Sequence, residues 1–155
     1  MSDTWYFAYG SNLSVDQKMF RTGAIRKAVR CRLPGYRFAF NKRMAAGEGM
    51  YANIVRDDAA TVWGVAYLCD DDAVAELDRF EGVSWGHYRR EQVEVVTDDG
   101  EVLEALTYVA GRRYVGDEGW PLPHYLRMIL DGARDHGLPE EYVEHIEELA
   151  GGLAE

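Results

Sequence analysis

Alternation between hydrophobic and polar positions predicts that much of the chain forms a sheet. Residues 5–9 and 36–41 alternate with period two, which is typical of half-buried strands. Residues 61–68 are apolar on both faces, and this pattern predicts a central strand. Gly64 in the middle of that strand would weaken it unless another part of the chain approaches its backbone closely. Three further strands are predicted at 52–55, 88–96 and 101–109, with Asp98-Asp99-Gly100 as the hairpin turn between the last two.

Capping residues and apolar stripes predict four helices. Ser14, with a glutamine three places later, marks the start of the first helix. Residues 70–72 are three aspartates, which favour an N-cap and an acidic first turn over a metal site. Gly82 is the expected end of the helix that they begin. The other two helices are predicted over residues 123–136, where a proline opens the first turn, and from residue 138 onward.

The remaining segments have the composition of turns and loops. Residues 33–35 are Leu-Pro-Gly, a turn sequence, and the basic stretch 23–32 favours a solvated strand or loop. Glycines at 43–50, and glycines and prolines at 111–123, predict loops. The order of elements lacks the regular βαβα alternation of a doubly wound sheet. The predicted fold class is therefore α+β, a mostly β sheet or small barrel with a few helices around it.

Length and charge limit the kinds of protein that this chain can be. At 155 residues it suits one ordinary domain, predicted over residues 1–150, with a tail at 151–155 that frays. The net charge of −10 disfavours binding to nucleic acid and to anionic membranes. Apolar runs are too short to span a bilayer, and residues 1–4 do not resemble a signal peptide. Cys31 and Cys69 form no metal or redox motif, so we expect reduced thiols in a cytoplasmic protein.

The first candidate for function is the turn Gly10-Ser11-Asn12, which lies between the aromatic strand and the first helix. A strand, a glycine turn and a helix start commonly present backbone N–H groups to an anionic or carbonyl oxygen. The alternative is that these residues only allow the strand to turn a corner.

The second candidate is Glu81. Val74, Leu77 and Glu81 are spaced i, i+3 and i+7, so they share one face of the predicted helix. Glu81 also precedes Gly82, at the negative end of the helix dipole. Burial and the dipole would both favour the neutral acid and raise the pKa of the carboxyl group, which suits it to take and give a proton near neutral pH. The alternative is an exposed side chain at a frayed helix end.

Other catalytic arrangements have little support. Ser11 does not lie in a G-x-S-x-G elbow and has no evident Asp and His partners in the sequence. The four histidines lack the spacing of metal ligands; they are His87, His124, His136 and His145.

Together, the two candidates resemble motifs of the γ-glutamylcyclotransferase family. Residues 6–13 read Y-F-A-Y-G-S-N-L, and Leu77-Asp78-x-x-Glu81-Gly82-Val83-x-x-Gly86-x-Tyr88 follows about seventy residues later. Residues 62–65 are similar to the strand before the glutamate of that family, and 123–142 are similar to its C-terminal helices. The resemblance covers nearly the whole chain and is weakest at 25–49.

The resemblance implies a small mixed β-barrel with surrounding helices, and an enzyme that needs no cofactor or metal. Members of the family close the γ-glutamyl group of a small-molecule substrate into 5-oxoproline and release an amino acid or amine, a reaction of glutathione metabolism. By resemblance, Glu81 is the catalytic acid and base. The implied substrate-binding residues are Tyr9, Gly10, Ser11, Asn12, Leu13, Tyr88, Tyr108 and Tyr125. For Tyr9, which starts the motif, the alternative is a structural role.

Two other functions stay open at this point. One keeps the chemistry and changes the leaving group, as in a γ-glutamylamine cyclotransferase or a biosynthetic enzyme that unmasks a γ-glutamylated intermediate. The other is a non-catalytic binding module, which would not need a buried acid. The residues 26–32 and 111–123 are candidates for leaving-group choice. The sequence also leaves the oligomeric state open, with a homodimer among the alternatives.

Overall fold

Five strands close into a barrel in the part of the chain that the computed structural model describes, residues 3–44 and 49–151. The strands are β1 (Thr4–Ala8), β2 (Ala28–Arg43), β3 (Met50–Cys69), β4 (Tyr88–Thr97) and β5 (Val102–Ala110). Around the barrel their order is β1-β3-β2-β4-β5. Neighbouring strands are antiparallel except for β1 and β5, whose parallel pairing closes the barrel. The predicted α+β class with a small barrel is confirmed.

Four α-helices surround the barrel within the same residue ranges: α1 (Val15–Thr22), α2 (Asp71–Phe80), α3 (Pro123–Asp135) and α4 (Glu140–Leu149). The predicted N-caps are present, since Ser14 Oγ accepts from Gln17 N at 3.3 Å and Asp70 accepts from Ala73 N at 2.8 Å. Among these helices, none is both long and apolar enough to cross a membrane. The tail from residue 152 lies outside the described residues, and the single domain over 1–150 stays a prediction.

The Leu-Pro-Gly segment at 33–35 is not a turn, so that prediction was wrong. It lies inside β2, where Pro34 pairs with Thr61 of β3. A register shift follows between Pro34 and Tyr36, and Gly35 there adopts a φ of +86°. Residues 57–60 of β3 lie opposite Gly35 alone, so an irregularity in the pairing keeps both strands continuous here. β2 and β3 therefore form one long hairpin in place of several short segments.

The strands predicted at 52–55 and 61–68 are two parts of the continuous strand β3. The loop predicted at 43–50 falls largely on residues outside the described part of the chain, and Arg43 and Met50 at its ends belong to strands. Long strands of this kind are hard to predict because polar residues interrupt the apolar alternation, as Arg56, Asp57 and Asp58 do within β3.

Another strand does approach the backbone closely at Gly64. A Cβ atom at this position would lie 2.2 Å from the carbonyl oxygen of Ala8 and 2.8 Å from the ring of Phe7. β1 thus passes directly over β3, a contact that only glycine allows. This contact places the end of β1, and the turn that follows it, at one end of the barrel.

Helix α3 packs against the same turn from the other side. A Cβ at Gly132 would lie 2.5 Å from the carbonyl carbon of Leu13 and 2.7 Å from the nitrogen of Ser14. Leu13 itself is fully buried in the core between the barrel and the helix. The turn is therefore held between the barrel and α3 by backbone contact on both sides.

Candidate active site

A cavity of about 440 Å³ opens where the turn after β1, the end of α2 and the start of α3 meet. Its volume suits a small-molecule ligand. Eight of the nine site residues predicted from the sequence line it: Tyr9, Gly10, Ser11, Asn12, Glu81, Tyr88, Tyr108 and Tyr125. The structure therefore brings together residues from distant parts of the chain, as the resemblance implied.

The turn 10–13 presents three unoccupied backbone donors. Leu13 N donates to Gly10 O at 3.0 Å and so closes a single 3₁₀ turn. Among the described residues, the N–H groups of Gly10, Ser11 and Asn12 have no hydrogen-bond acceptor. Because unpaired backbone donors are costly to bury away from a ligand or water, these three groups are suited to bind a negatively charged oxygen.

Leu13 lies apart from the other predicted site residues. Its N–H is used within the turn, its side chain is fully buried in the core, and it does not line the cavity. The motif therefore supplies three free backbone donors instead of four. The fourth residue fixes the turn to the core.

Asn12 orients the turn with its side chain. Its Nδ2 donates to the hydroxyl of Tyr6 at 2.9 Å, and its Oδ1 accepts from Arg21 Nη1 at 3.3 Å. Tyr67 donates to the carbonyl oxygen of Asn12 at 2.9 Å. The side chain of Asn12 is therefore occupied within the protein, contrary to the expectation that it adds a bond to the substrate.

Glu81 follows the last residue of α2, and its side chain is 17% exposed at the cavity. The alternative of a frayed, exposed helix end is excluded, since its N–H donates to Leu77 O at 2.8 Å. Burial raises the pKa of the carboxyl group to about 7, although the positive charges of Arg21 and Lys42 act in the opposite direction. A group with this pKa exchanges a proton readily near neutral pH.

Arg21 connects Glu81 to the turn. Its Nη1 lies 3.8 Å from Glu81 Oε1 and 3.3 Å from Asn12 Oδ1. The carboxyl group and the three free N–H donors are therefore neighbours in one cavity. Arg21 was not predicted from the sequence. It follows Ser14 by seven residues and Gln17 by four, and this spacing places the three residues on one helix face.

Tyrosines form the remaining walls. Tyr88 donates to Ala52 O at 2.7 Å, and the hydroxyl of Tyr125 accepts from Ala52 N at 3.0 Å. One residue of β3 thus fixes both rings. Burial raises the pKa of both phenols, so they stay neutral at physiological pH.

Tyr9 and Tyr108 are tied to the barrel. Tyr9 donates to Tyr108 O at 2.6 Å, and Tyr108 donates to Asp78 Oδ1 at 2.7 Å. Both hydroxyl groups are therefore used within the protein. Their rings shape the cavity.

Lys42, Tyr51 and His87 also line the cavity and were not predicted. Lys42 is 2% exposed, and its Nζ lies 2.9 Å from His87 Nδ1. No sequence signal identifies Lys42, because the pattern of hydrophobic and polar positions around a buried lysine in a strand is the same as around an exposed one. The histidines were considered only as metal ligands, and within the described residues no group of three or more His, Cys, Asp or Glu could hold a metal ion.

The two segments considered for leaving-group choice lie mostly elsewhere. Arg26 pairs with Asp3 and Arg30 pairs with Asp98, outside the cavity. Of the loop 111–123, Leu122 is the residue that lines the cavity.

Comparison with known proteins agrees with this geometry. Residues 61–146, more than half of the chain, match the AIG2-like family. The γ-glutamylcyclotransferases of human and mouse are 30% and 29% identical over 148 residues, which cover 93% of this chain and 77% of each relative. A solved structure of a γ-glutamyl cyclotransferase superposes with a TM-score of 0.85 at 28% identity, covering 94% of this chain and 87% of that one. This chain therefore belongs to the AIG2-like family.

Proposed function

We propose that this chain is a γ-glutamylcyclotransferase, which converts a γ-glutamyl amino acid into 5-oxoproline and the free amino acid. The observation that carries the proposal is the position of Glu81. A carboxyl group with a pKa of about 7 lies in one cavity with three free backbone N–H groups. Its relatives named above support the same activity.

The reaction begins with proton removal. The carboxylate of Glu81 takes a proton from the α-ammonium group of the substrate, and the free amine attacks the γ-carbonyl carbon. The new C–N bond closes a five-membered ring and places a negative charge on the carbonyl oxygen. The N–H groups of Gly10, Ser11 and Asn12 stabilise that charge, each by about 3 kcal/mol.

The same carboxyl group completes the reaction. Glu81 gives its proton to the nitrogen of the leaving group, the original amide C–N bond breaks, and the carbonyl re-forms as the lactam. The ring nitrogen passes its second proton to the released amine, which leaves as an ammonium group. Protons are conserved, and no electrons are transferred to another molecule. The proposal therefore includes no metal or cofactor.

The shape of the cavity supports ring closure. The α-amine and the γ-carbonyl belong to one molecule, so the enzyme accelerates the reaction by holding the glutamyl chain in a folded pose. The walls that do this are rigid rings, since Tyr88 and Tyr125 are both bonded to Ala52. A non-catalytic binding module would gain nothing from a buried carboxyl group whose ionisation is disfavoured.

The proposal also includes the cellular location of the protein and the metabolism to which its reaction belongs. Cys31 and Cys69 are buried free thiols, which supports a cytoplasmic location. Glutathione is itself a γ-glutamyl compound, and we place the reaction in the metabolism of such compounds.

The proposal is tested with a panel of γ-glutamyl amino acids, γ-glutamyl amines and glutathione, with 5-oxoproline as the measured product. We expect Glu81→Gln to lower kcat by at least about 1000-fold, because the amide cannot accept the ammonium proton. The matched control is Glu76→Gln, a half-exposed glutamate on the same helix that pairs with Arg79 outside the cavity. Circular dichroism checks that both variants are folded.

Two outcomes would contradict the proposal. A wild-type protein without activity on any member of the panel rules out the enzyme, and full activity in Glu81→Gln rules out Glu81 as the proton carrier.

A further inference from the structure

Lys42 is a buried cation in the cavity that the proposed reaction does not use. It is 2% exposed, and it lines the cavity near the end of β2. Among residues 3–44 and 49–151, no carboxylate forms an ion pair with its Nζ. Buried charges in proteins are normally paired, so a charge of this kind in a ligand cavity points to an anionic group on the ligand.

The surroundings of Lys42 are suited to hold a cation without neutralising it. Its Nζ lies 5.4, 5.3 and 4.6 Å from the ring centroids of Tyr51, Tyr88 and Tyr114, distances at which aromatic faces attract a positive charge. His87 Nδ1, at 2.9 Å, accepts one hydrogen bond from it. Burial lowers the pKa of Lys42 to about 8, and Glu81 offsets this only in part. The ammonium group is thus charged at neutral pH and can make further hydrogen bonds.

The backbone places Lys42 at this point. The register of β2 against β3 shifts between Ala39 and Lys42, after which Lys42 pairs with Tyr51. Five consecutive residues of β2, 38–42, are buried, so both faces of the strand are covered here. Lys42 lines the cavity at this position.

We infer that Lys42 binds the carboxylate of the leaving amino acid, so that the enzyme selects γ-glutamyl α-amino acids over γ-glutamyl amines. The inference rests on the proposed function. A γ-glutamyl amino acid carries two carboxylates, and among the described residues one arginine and one lysine line the cavity, Arg21 and Lys42. In the substrate, the glutamyl carboxylate and the amine that Glu81 deprotonates are bonded to the same α-carbon. Arg21 is the cation 3.8 Å from Glu81. Lys42 is therefore assigned to the carboxylate on the other side of the bond that breaks.

The test compares two substrates that differ only by this carboxylate, γ-glutamyl-alanine and γ-glutamyl-ethylamine. We expect the wild type to prefer γ-glutamyl-alanine by about 10- to 100-fold in kcat/KM, the range for a hydrogen bond to a charged group. Lys42→Met keeps the length of the side chain and removes the charge, and the ratio should fall to near one. Lys42→Arg keeps the charge and should retain most of the preference.

The matched control is Lys18→Met. Lys18 is equally buried at 3% exposed, but its Nζ bonds to Thr22 Oγ1 and it does not line the cavity. We expect this variant to keep the wild-type ratio. A general effect of losing a buried lysine would change both variants alike.

Three outcomes distinguish a failure of the inference about Lys42 from a failure of the proposed function. A wild-type ratio near one overturns the inference, and this result does not depend on whether any variant folds. An equal loss on both substrates in Lys42→Met also overturns it, because Lys42 would then act on Glu81 or on the glutamyl carboxylate. If the wild type processes neither substrate nor any other γ-glutamyl compound, the proposed function itself is wrong.

Discussion

The cavity has two walls that are built from different kinds of contact. The turn wall consists of Gly10, Ser11 and Asn12 together with Glu81, and its binding groups are mainly backbone amides. The lysine wall consists of Lys42, Tyr51, Tyr88 and His87, which come from the β2–β3 hairpin and from the start of β4. Its binding groups are side chains.

The difference suits the two walls to different tasks. The turn wall is held rigidly, since Tyr67 donates to Asn12 O at 2.9 Å, His136 donates to Leu13 O at 3.0 Å, and Gly132 packs directly behind it. Rigid donors stabilise a charge that appears only in the transition state, because they need no reorganisation. A wall of side chains can change by single substitutions without disturbing that geometry. Under the proposed function, the chemistry belongs to the backbone donors and the Glu81 carboxyl group of the turn wall, and partner choice belongs to the side chains of the lysine wall.

Among the changes that test the contrast between the two walls, the largest expected effect comes from displacing the turn wall. In Gly132→Ala the added Cβ would lie 2.5 Å from the carbonyl carbon of Leu13, so α3 or the turn must move. A shift of about 1 Å at a catalytic group can cost about 100-fold in rate, and overpacking costs about 1–3 kcal/mol of stability. We expect kcat on γ-glutamyl-alanine to fall by about 100-fold, with a lower midpoint of urea unfolding.

The control for this change is Asp131→Ala, which adds no bulk at the neighbouring exposed position of the same helix. It should leave kcat and the unfolding midpoint nearly unchanged. Wild-type activity in Gly132→Ala would show that the turn does not depend on contact with α3, and the contrast between the two walls would then lose its basis.

The next prediction concerns the free energy of unfolding that the protein loses by burying Glu81 in the turn wall. Its pKa is raised from 4.5 to about 7 in the folded protein. Below pH 4.5 the carboxyl is neutral in both states, and there is no cost. Between 4.5 and 7 the unfolded chain releases a proton that the folded protein retains, so stability falls as the pH rises. Above pH 7 the full cost applies, about 3 kcal/mol.

Glu81→Gln removes this cost. We therefore expect the inactive variant to be more stable than the wild type at pH 8, by up to about 3 kcal/mol, and equally stable at pH 4. Urea unfolding at the two pH values measures the difference. Glu76→Gln serves again as the control and should show no gain at pH 8. An equal free energy of unfolding for Glu81→Gln and wild type at both pH values would mean that Glu81 is well solvated.

The turn wall could be predicted from sequence because its signals are local. An aromatic strand, Gly10-Ser11-Asn12 and a serine N-cap are consecutive, and the helix spacing of Glu81 from Leu77 shows which way it points. The barrel was predicted from the order of the strands and from the resemblance to the γ-glutamylcyclotransferase family. What local signals could not show is that Leu13 faces the core, since that depends on its contact with α3.

The lysine wall could not be predicted, for a physical reason. Which residues lie opposite each other in this hairpin depends on the register of β2 against β3, which shifts between Ala39 and Lys42, and a register shift is a property of two paired strands. The turn that was wrongly predicted at Pro34 and Gly35 has the same explanation, because a second register shift between β2 and β3 keeps these residues within the strand. Bulges decide which side chains enter a barrel, and one strand read alone does not reveal them.

The smallest expected effect sharpens the contrast between the two cations of the cavity. The positive charge of Arg21, 3.8 Å from Glu81, lowers the pKa of that carboxyl group. In Arg21→Gln this contribution is lost, so the acidic limb of the profile of kcat/KM against pH should move upward from about 7. A partly exposed ion pair contributes up to about 1 kcal/mol, so we expect the variant to lose about two- to fivefold more activity at pH 6 than at pH 9. Arg26→Gln, which removes an exposed arginine paired with Asp3, is the control and should keep the wild-type limb. A limb that stays in place in Arg21→Gln would show that Arg21 does not tune Glu81 and serves the substrate alone.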